Sequence, residues 1–303
     1  MITALIAVLA GWWLWTPDLP RAALEAKYLE RPADLIAVGP WQLHVRDRGP
    51  RDAPALLLVH GFGSSLHTWE RWIAVLQDKH RVIAIDLPGS GLSAVDPENN
   101  VSDERAIAML TALQDQLGIK QWAIAGHSMG GRIAWKFAAL HPDRVTRLVL
   151  VAPDGFASAG FEYGKAFEVP GYMHAIRQIL PRAMVRMSMK PAYFNPEMLT
   201  DALVDRYYDL LRAPGARQAL LERLRQTIPA DPRPVLAAIK APTLLLWGTQ
   251  DAMIPAANAS DYLAALTAVT EPVNSVQFDK TGHVPQEEAA SESAKAVEGF
   301  LAR

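Results

Sequence analysis

A serine flanked by glycines at the end of an apolar run constrains this chain more than any other feature. Ala123-Ile124-Ala125-Gly126 reads as a strand and Arg132-Ile133-Ala134-Trp135-Lys136-Phe137-Ala138 as a helix, with only His127-Ser128-Met129-Gly130-Gly131 between them. So tight a Gly-x-Ser-x-Gly turn forces its central residue into a strained conformation, and side chains at Gly126 and Gly130 would strike neighbouring backbone. Ser128 Oγ is then held proud of the sheet as a nucleophile elbow. The next helix turns its unpaired N-terminal N–H groups, that of Met129 first, toward the place where an oxyanion would develop. The pattern by itself also fits a glycine-rich turn with a capping serine; its position between strand and helix favours the nucleophile.

The same alternation extends along most of the 303 residues. Residues 35–38 and 41–45 flank Gly39-Pro40 as a hairpin, and continuous apolar runs at 56–59, 81–86, 145–151 and 243–248 read as parallel strands covered on both faces. A last strand lies near 275–278, and helical sequence fills 103–118, 256–267 and the C-terminal stretch to Leu301. This predicts an α/β fold with a mostly parallel, doubly wound sheet. Its core is expected over 35–154 and 235–303. From 155 to 234 the alternation stops, and a helical segment without a strand reads as a lid inserted after the strand ending near Pro153, above the crevice where such sheets bind ligands. Within it Arg182, Arg186 and Lys190 recur every four residues among Met184, Met187 and Met189. That pattern predicts a helix with one solvated and one packed face, a membrane-facing basic helix being the alternative.

Residues 1–15 carry no charged side chain. As a helix they would run about 22–24 Å, short of the ~30 Å of hydrocarbon in a bilayer. Trp12, Trp13 and Trp15 suit a headgroup interface, and neither a basic start nor a small-residue cleavage site marks a signal peptide. Residues 1–16 therefore read as an uncleaved membrane anchor, its side undetermined, and 17–34 as a spacer. The alternative is a helix packed on the protein's own surface or on a partner subunit in a soluble cytoplasmic protein. A net charge of −2 gives no basic field for nucleic acid, and the absence of cysteine removes disulfides, thiolate catalysis and cysteine metal sites.

A serine hydroxyl needs a base, and the base needs an acceptor on its far nitrogen. Asp251 follows Trp247-Gly248-Thr249-Gln250 at the end of a strand, and His283 stands in Gly282-His283-Val284-Pro285 after the last one. Ser128, Asp251 and His283 would thus share the C-terminal edge of one sheet. Asp154, after the strand that follows the elbow helix, is a second candidate acid, with a role in capping the first lid turn as its alternative. His60 in His60-Gly61-Phe62-Gly63 reads as a brace for the oxyanion loop, Asp86 as a tie for loop N–H groups, and His127 as an ordinary core or surface histidine.

With these pieces together, from His60-Gly61-Phe62-Gly63 and Asp86-Leu87-Pro88-Gly89-Ser90-Gly91 to Gly282-His283, the chain from Leu35 to Leu301 resembles an α/β-hydrolase-fold serine hydrolase of the lidded esterase and lipase type. The resemblance implies Ser128 as nucleophile, His283 as base, Asp251 as orienting acid, and an oxyanion hole from the N–H groups of Phe62 and Met129. It also implies a small-molecule or lipid-like ester as substrate, with no metal or cofactor. Dehalogenases and epoxide hydrolases of this fold carry Asp at the elbow, so Ser128 argues against both. Carbon–carbon hydrolysis of vinylogous diketones and cofactor-free haloperoxidase activity are the enzymatic alternatives. A binding protein without turnover is a further one, disfavoured by the complete Ser, His, Asp set.

Overall fold

The computed structural model of the protein describes residues 15–156, 162–269 and 271–303. Its strands are β1 (Leu35–Val38), β2 (Trp41–Arg48), β3 (Ala55–Val59), β4 (Arg81–Ile85), β5 (Trp122–His127), β6 (Val145–Val151), β7 (Thr243–Gly248) and β8 (Asn274–Phe278). They form one eight-stranded sheet in the order β1-β2-β4-β3-β5-β6-β7-β8. β2 pairs antiparallel with β1 and β4, and the remaining neighbours are parallel.

The apolar runs explain why this sheet is covered twice. Successive side chains on a strand point to opposite faces, so an unbroken run needs a core on each side. Leu57, Val59, Ile83, Ile85, Ile124 and Leu150 pack with helices Asp103–Gln116, Met129–Leu140 and Asn258–Ala265 on one face. Leu56, Leu58, Val82, Ala84, Ala125 and Val151 pack with helices Glu70–Leu76 and Ala290–Leu301 on the other.

Between β6 and β7 the described residues hold no strand. The segment forms helices Arg182–Met189, Asp201–Leu211 and Ala216–Gln226, and the first two share a small core with the loop after the last strand, including Val185, Met189, Tyr193, Leu199, Val204 and Val284. On the first of these helices the basic residues are answered by acids: Arg182 pairs with Asp201 and Asp205, and Arg186 with Asp201. The methionines divide, Met189 being buried while Met184 and Met187 are 47% and 64% exposed. The segment lies against loops at the C-terminal end of the sheet, where Tyr207 meets Ser64 at 3.1 Å and the carbonyl of Ala192 accepts from His283 N–H at 2.8 Å.

The expected anchor falls largely on residues 1–14, outside the described residues. Among the described residues, no helix is long and apolar enough to cross a membrane. From Trp15 onward the chain is fastened to the inserted segment: Trp15 bridges Ile179, and Arg217 donates to the Thr16 carbonyl at 2.7 Å and pairs with Asp18 at 2.5 Å. The stretch expected as a spacer is packed against the rest of the protein. Its helix, Arg21–Tyr28, buries Leu24 among Leu92, Leu210 and Ala213, while Lys27 and Tyr28 both donate to Asp209.

Candidate active site

At the elbow between β5 and helix Met129–Leu140, Ser128 has φ 52° and ψ −119°, a backbone state that costs a non-glycine residue about 1–3 kcal/mol. The neighbouring packing holds it there. A Cβ at Gly126 would lie 2.2 Å from the Gly130 carbonyl oxygen, and one at Gly130 would lie 2.3 Å from that of Val59, so only glycine admits this closeness. Ser128 N–H is tied to the Val151 carbonyl at 2.9 Å, and its own carbonyl accepts from Asp154 N–H at 3.0 Å.

His283 and Asp251 come from different loops at the same sheet edge and meet. His283 Nδ1 lies 2.8 Å from Asp251 Oδ2, with both side chains almost wholly buried. The other carboxylate oxygen of Asp251 accepts from the N–H groups of Met253 and Ile254 at 2.8 and 2.9 Å, which fixes the plane of the acid. Since an ionised carboxylate only accepts, Nδ1 carries the proton and Nε2 keeps its lone pair. The two loops are joined further back, where Gln250 N–H donates to the Thr281 carbonyl at 2.9 Å. Among the described residues the Ser128 hydroxyl makes no hydrogen bond.

The competing acid is engaged elsewhere. Asp154 forms an ion pair with Arg132, which also binds Asp103 at 2.8 Å, so its side chain serves the elbow helix rather than capping the inserted segment. Loop 60–65 follows β3, and a Cβ at Gly61 would stand 3.2 Å from that of Ser128. Neither the Phe62 nor the Met129 N–H donates to an acceptor among the described residues. His60 braces this loop as expected: its Nδ1–H donates to the Gly61 carbonyl at 2.7 Å and its Nε2 accepts from Leu87 N–H at 3.0 Å, which leaves no nitrogen for base chemistry. Asp86 accepts from Leu66 and Leu92 N–H at 2.7 and 2.9 Å and from His44 Nδ1–H at 2.7 Å. Burial works against its charge, but the bond from His44 prevails and holds its carboxyl well below the usual carboxylate range.

His127 is the residue whose part is missing from the sequence reading. Its ring lies against that of His283, with centroids 4.7 Å apart, and its Nε2–H donates to the His283 carbonyl at 2.8 Å. Only its location inside the elbow pointed toward it. Burial, reinforced by the adjacent His283, keeps His127 well below the ordinary histidine value of 6.5, so it stands here as a neutral donor.

Burial lowers His60 likewise, against the opposing pull of Asp86, and brings His67 down to about 4. Three imidazoles are thus neutral when folded and take up protons when unfolded. Their contribution to stability is fully present above about pH 6.5 and is lost as the pH falls toward their folded values. At pH 5.5 His67 alone should cost roughly 1 kcal/mol, with His60 and His127 adding in the same direction. Thermal melts at pH 7.5 and 5.5 are expected to show the midpoint falling by about 2 °C or more. A midpoint unmoved between these values would contradict the neutral assignment.

Comparison with known proteins agrees with this architecture. A family model described as alpha/beta hydrolase fold matches residues 54–290. A dihydrolipoyllysine-residue acetyltransferase component of an acetoin cleaving system from Pseudomonas putida is 34% identical over 259 residues, which is 84% of this chain and 65% of that protein. The chain thus spans less than two thirds of that relative's length. A 2-hydroxy-6-oxononadienedioate/2-hydroxy-6-oxononatrienedioate hydrolase from Escherichia coli K12 is 28% identical over 276 residues, covering 86% of this chain and 91% of that one. Among solved structures, a putative lipase from Acinetobacter baumannii AYE superposes with a TM-score of 0.75 at 27% identity, over 94% of this chain and 97% of the other.

Proposed function

The chain belongs to the alpha/beta hydrolase fold family, and on that premise we propose that it is a serine hydrolase cleaving carboxylic esters through an acyl-enzyme. Ser128 Oγ attacks the ester carbonyl while His283 Nε2 takes its proton. The tetrahedral oxygen is received by the N–H groups of Phe62 and Met129, and the alcohol departs with the proton held on His283. Water, deprotonated by the same imidazole, then releases the acid and restores Ser128. Asp251 keeps the imidazole in the required tautomer and offsets its charge when protonated.

The observation that carries this reading is the 2.8 Å bond from His283 Nδ1 to Asp251, which leaves Nε2 as the basic nitrogen at the sheet edge that also carries half-buried Ser128. Likeness to a lipase structure over nearly the whole chain supports an ester as substrate. A second reading, hydrolysis of a carbon–carbon bond in a vinylogous diketone, draws support from the similarity to the Escherichia coli hydrolase. Both use the same serine and differ in the electrophile. Assay of p-nitrophenyl esters of increasing acyl length beside a 2-hydroxy-6-oxodienoate separates them. The ester reading expects kcat/KM to be higher for at least one ester than for the diketone, and it falls if the diketone alone is consumed.

A further inference from the structure

The backbone of His283 is gripped from two sides. Its carbonyl is held by His127, and its N–H donates to the carbonyl of Ala192 at 2.8 Å. Ala192 belongs to the inserted segment, just past helix Arg182–Met189, so residues far from the sheet in sequence reach the histidine loop directly. What keeps that strap in place is a carboxylate. Glu288 Oε2 accepts from Gly282 N–H at 2.6 Å and from Phe194 N–H at 3.1 Å, while Oε1 accepts from Asn195 N–H at 2.8 Å. One side chain thus joins the residue before His283 to the two residues that follow Tyr193 in the strap.

The fit at this junction is close. A Cβ at Gly282 would lie 2.6 Å from the Ala192 oxygen, 2.8 Å from the Phe194 nitrogen and 2.9 Å from Glu288 Oε2. The preceding carboxylate reinforces it from the other side, since buried Glu287 accepts from Tyr193 Oη–H at 2.6 Å and from Thr68 Oγ1–H at 2.5 Å. The three backbone donors converging on Glu288 use both of its oxygens as acceptors, and bonds to a carboxylate are roughly twice as strong as those to a neutral acceptor. A glutamine there would turn an amide N–H₂ toward at least one of these N–H groups.

We propose that Glu288 is a positioning residue for His283, acting through the strap that carries Ala192, Phe194 and Asn195. The inserted segment is on this account a structural part of the catalytic loop rather than only a cover above it. The inference rests on the reading of His283 as the base. A displacement of the imidazole by about 1 Å costs on the order of 10²-fold in rate, which sets the size of the expected loss.

The test uses the full chain, with Glu288→Gln and the charge-conserving Glu288→Asp, and follows two quantities. One is kcat on the best ester; the other is the low-field Nδ1–H proton resonance of His283 on Asp251, told from that of His44 on Asp86 by its loss in His283→Ala. Glu288→Gln is expected to lower kcat by on the order of 10²-fold and to broaden or remove that resonance. Glu288→Asp should recover part of both, and it carries the same test if the glutamine variant does not fold. Retention of either kcat or the resonance in the variant tested overturns the proposal, including a pure rise in KM, which is what simple packing of the insert over the cleft would produce. His283→Ala separates this from the premise: an active His283→Ala protein removes the base assignment itself, whereas an inactive one beside an unaffected Glu288 variant removes only the positioning role.

Discussion

Ser128→Ala is expected to abolish ester turnover, with a fall in kcat on the order of 10⁶ by the precedent of serine-hydrolase nucleophile removal. The reason is chemical. On the proposed mechanism alanine offers no atom to form the acyl-enzyme, and the residual rate would come only from binding and from the N–H groups of Phe62 and Met129. The fold should not notice the change. Ser128 Oγ makes no hydrogen bond among the described residues, and alanine keeps the same Cβ at the same φ of 52°, so the elbow strain is common to both proteins. A serine-directed phosphonate followed by mass spectrometry checks this: the parent should gain one adduct on the peptide bearing residue 128 and the variant none. An adduct on another residue, or turnover retained in the variant, would place the nucleophile elsewhere.

The acid gives the second large effect. Asp251→Asn should reduce kcat on the order of 10⁴-fold, because an amide at this position can turn its N–H₂ to His283 and favour the tautomer with the proton on Nε2. Asp154→Asn should leave kcat near the parent value. Its carboxylate pairs with Arg132, which retains Asp103, and its side chain is one-third exposed, so the expected cost is on the order of 1 kcal/mol of stability. Steady-state kinetics and thermal melts on the two variants together decide the assignment. A large kinetic loss in Asp154→Asn beside normal turnover in Asp251→Asn would reverse it.

Much of the architecture was legible because it is written locally. Unbroken apolar runs such as 56–59 and 145–151 require a sheet with a core on each face, and Gly126 and Gly130 around Ser128 leave few ways to join a strand to a helix. His283 and Asp251 were legible by position, each just beyond a strand of the same sheet. Glu288 and His127 were not. Their partners lie far away in sequence: Glu288 binds residues 93 and 94 positions before it on the insert, and His127 binds the carbonyl of a residue 156 positions later. Nothing in the local pattern of a glutamate near a helix start, or of a histidine beside a serine, encodes such contacts. The contacts of the arm before β1 were hidden for a similar reason. Lys27 finds Asp209 on the inserted segment, and Glu30 pairs with Arg46 and Arg48 on β2.

That arm acts as a tie-rod. At one end Glu30 and Asp34 are bound to arginines of β2, on the sheet; at the other Asp18, Lys27 and Tyr28 are bound to Arg217 and Asp209, on the insert. Drawing the insert away from the sheet must therefore break bonds at one end or carry the arm along. Linkage makes the relation reciprocal: a load on the arm that favours one placement of the insert is felt by the insert with the same free energy that the insert's movement exerts on the arm. The insert held by this arm also supplies the Ala192 carbonyl that accepts from His283 N–H, so the arm and the histidine loop share one support.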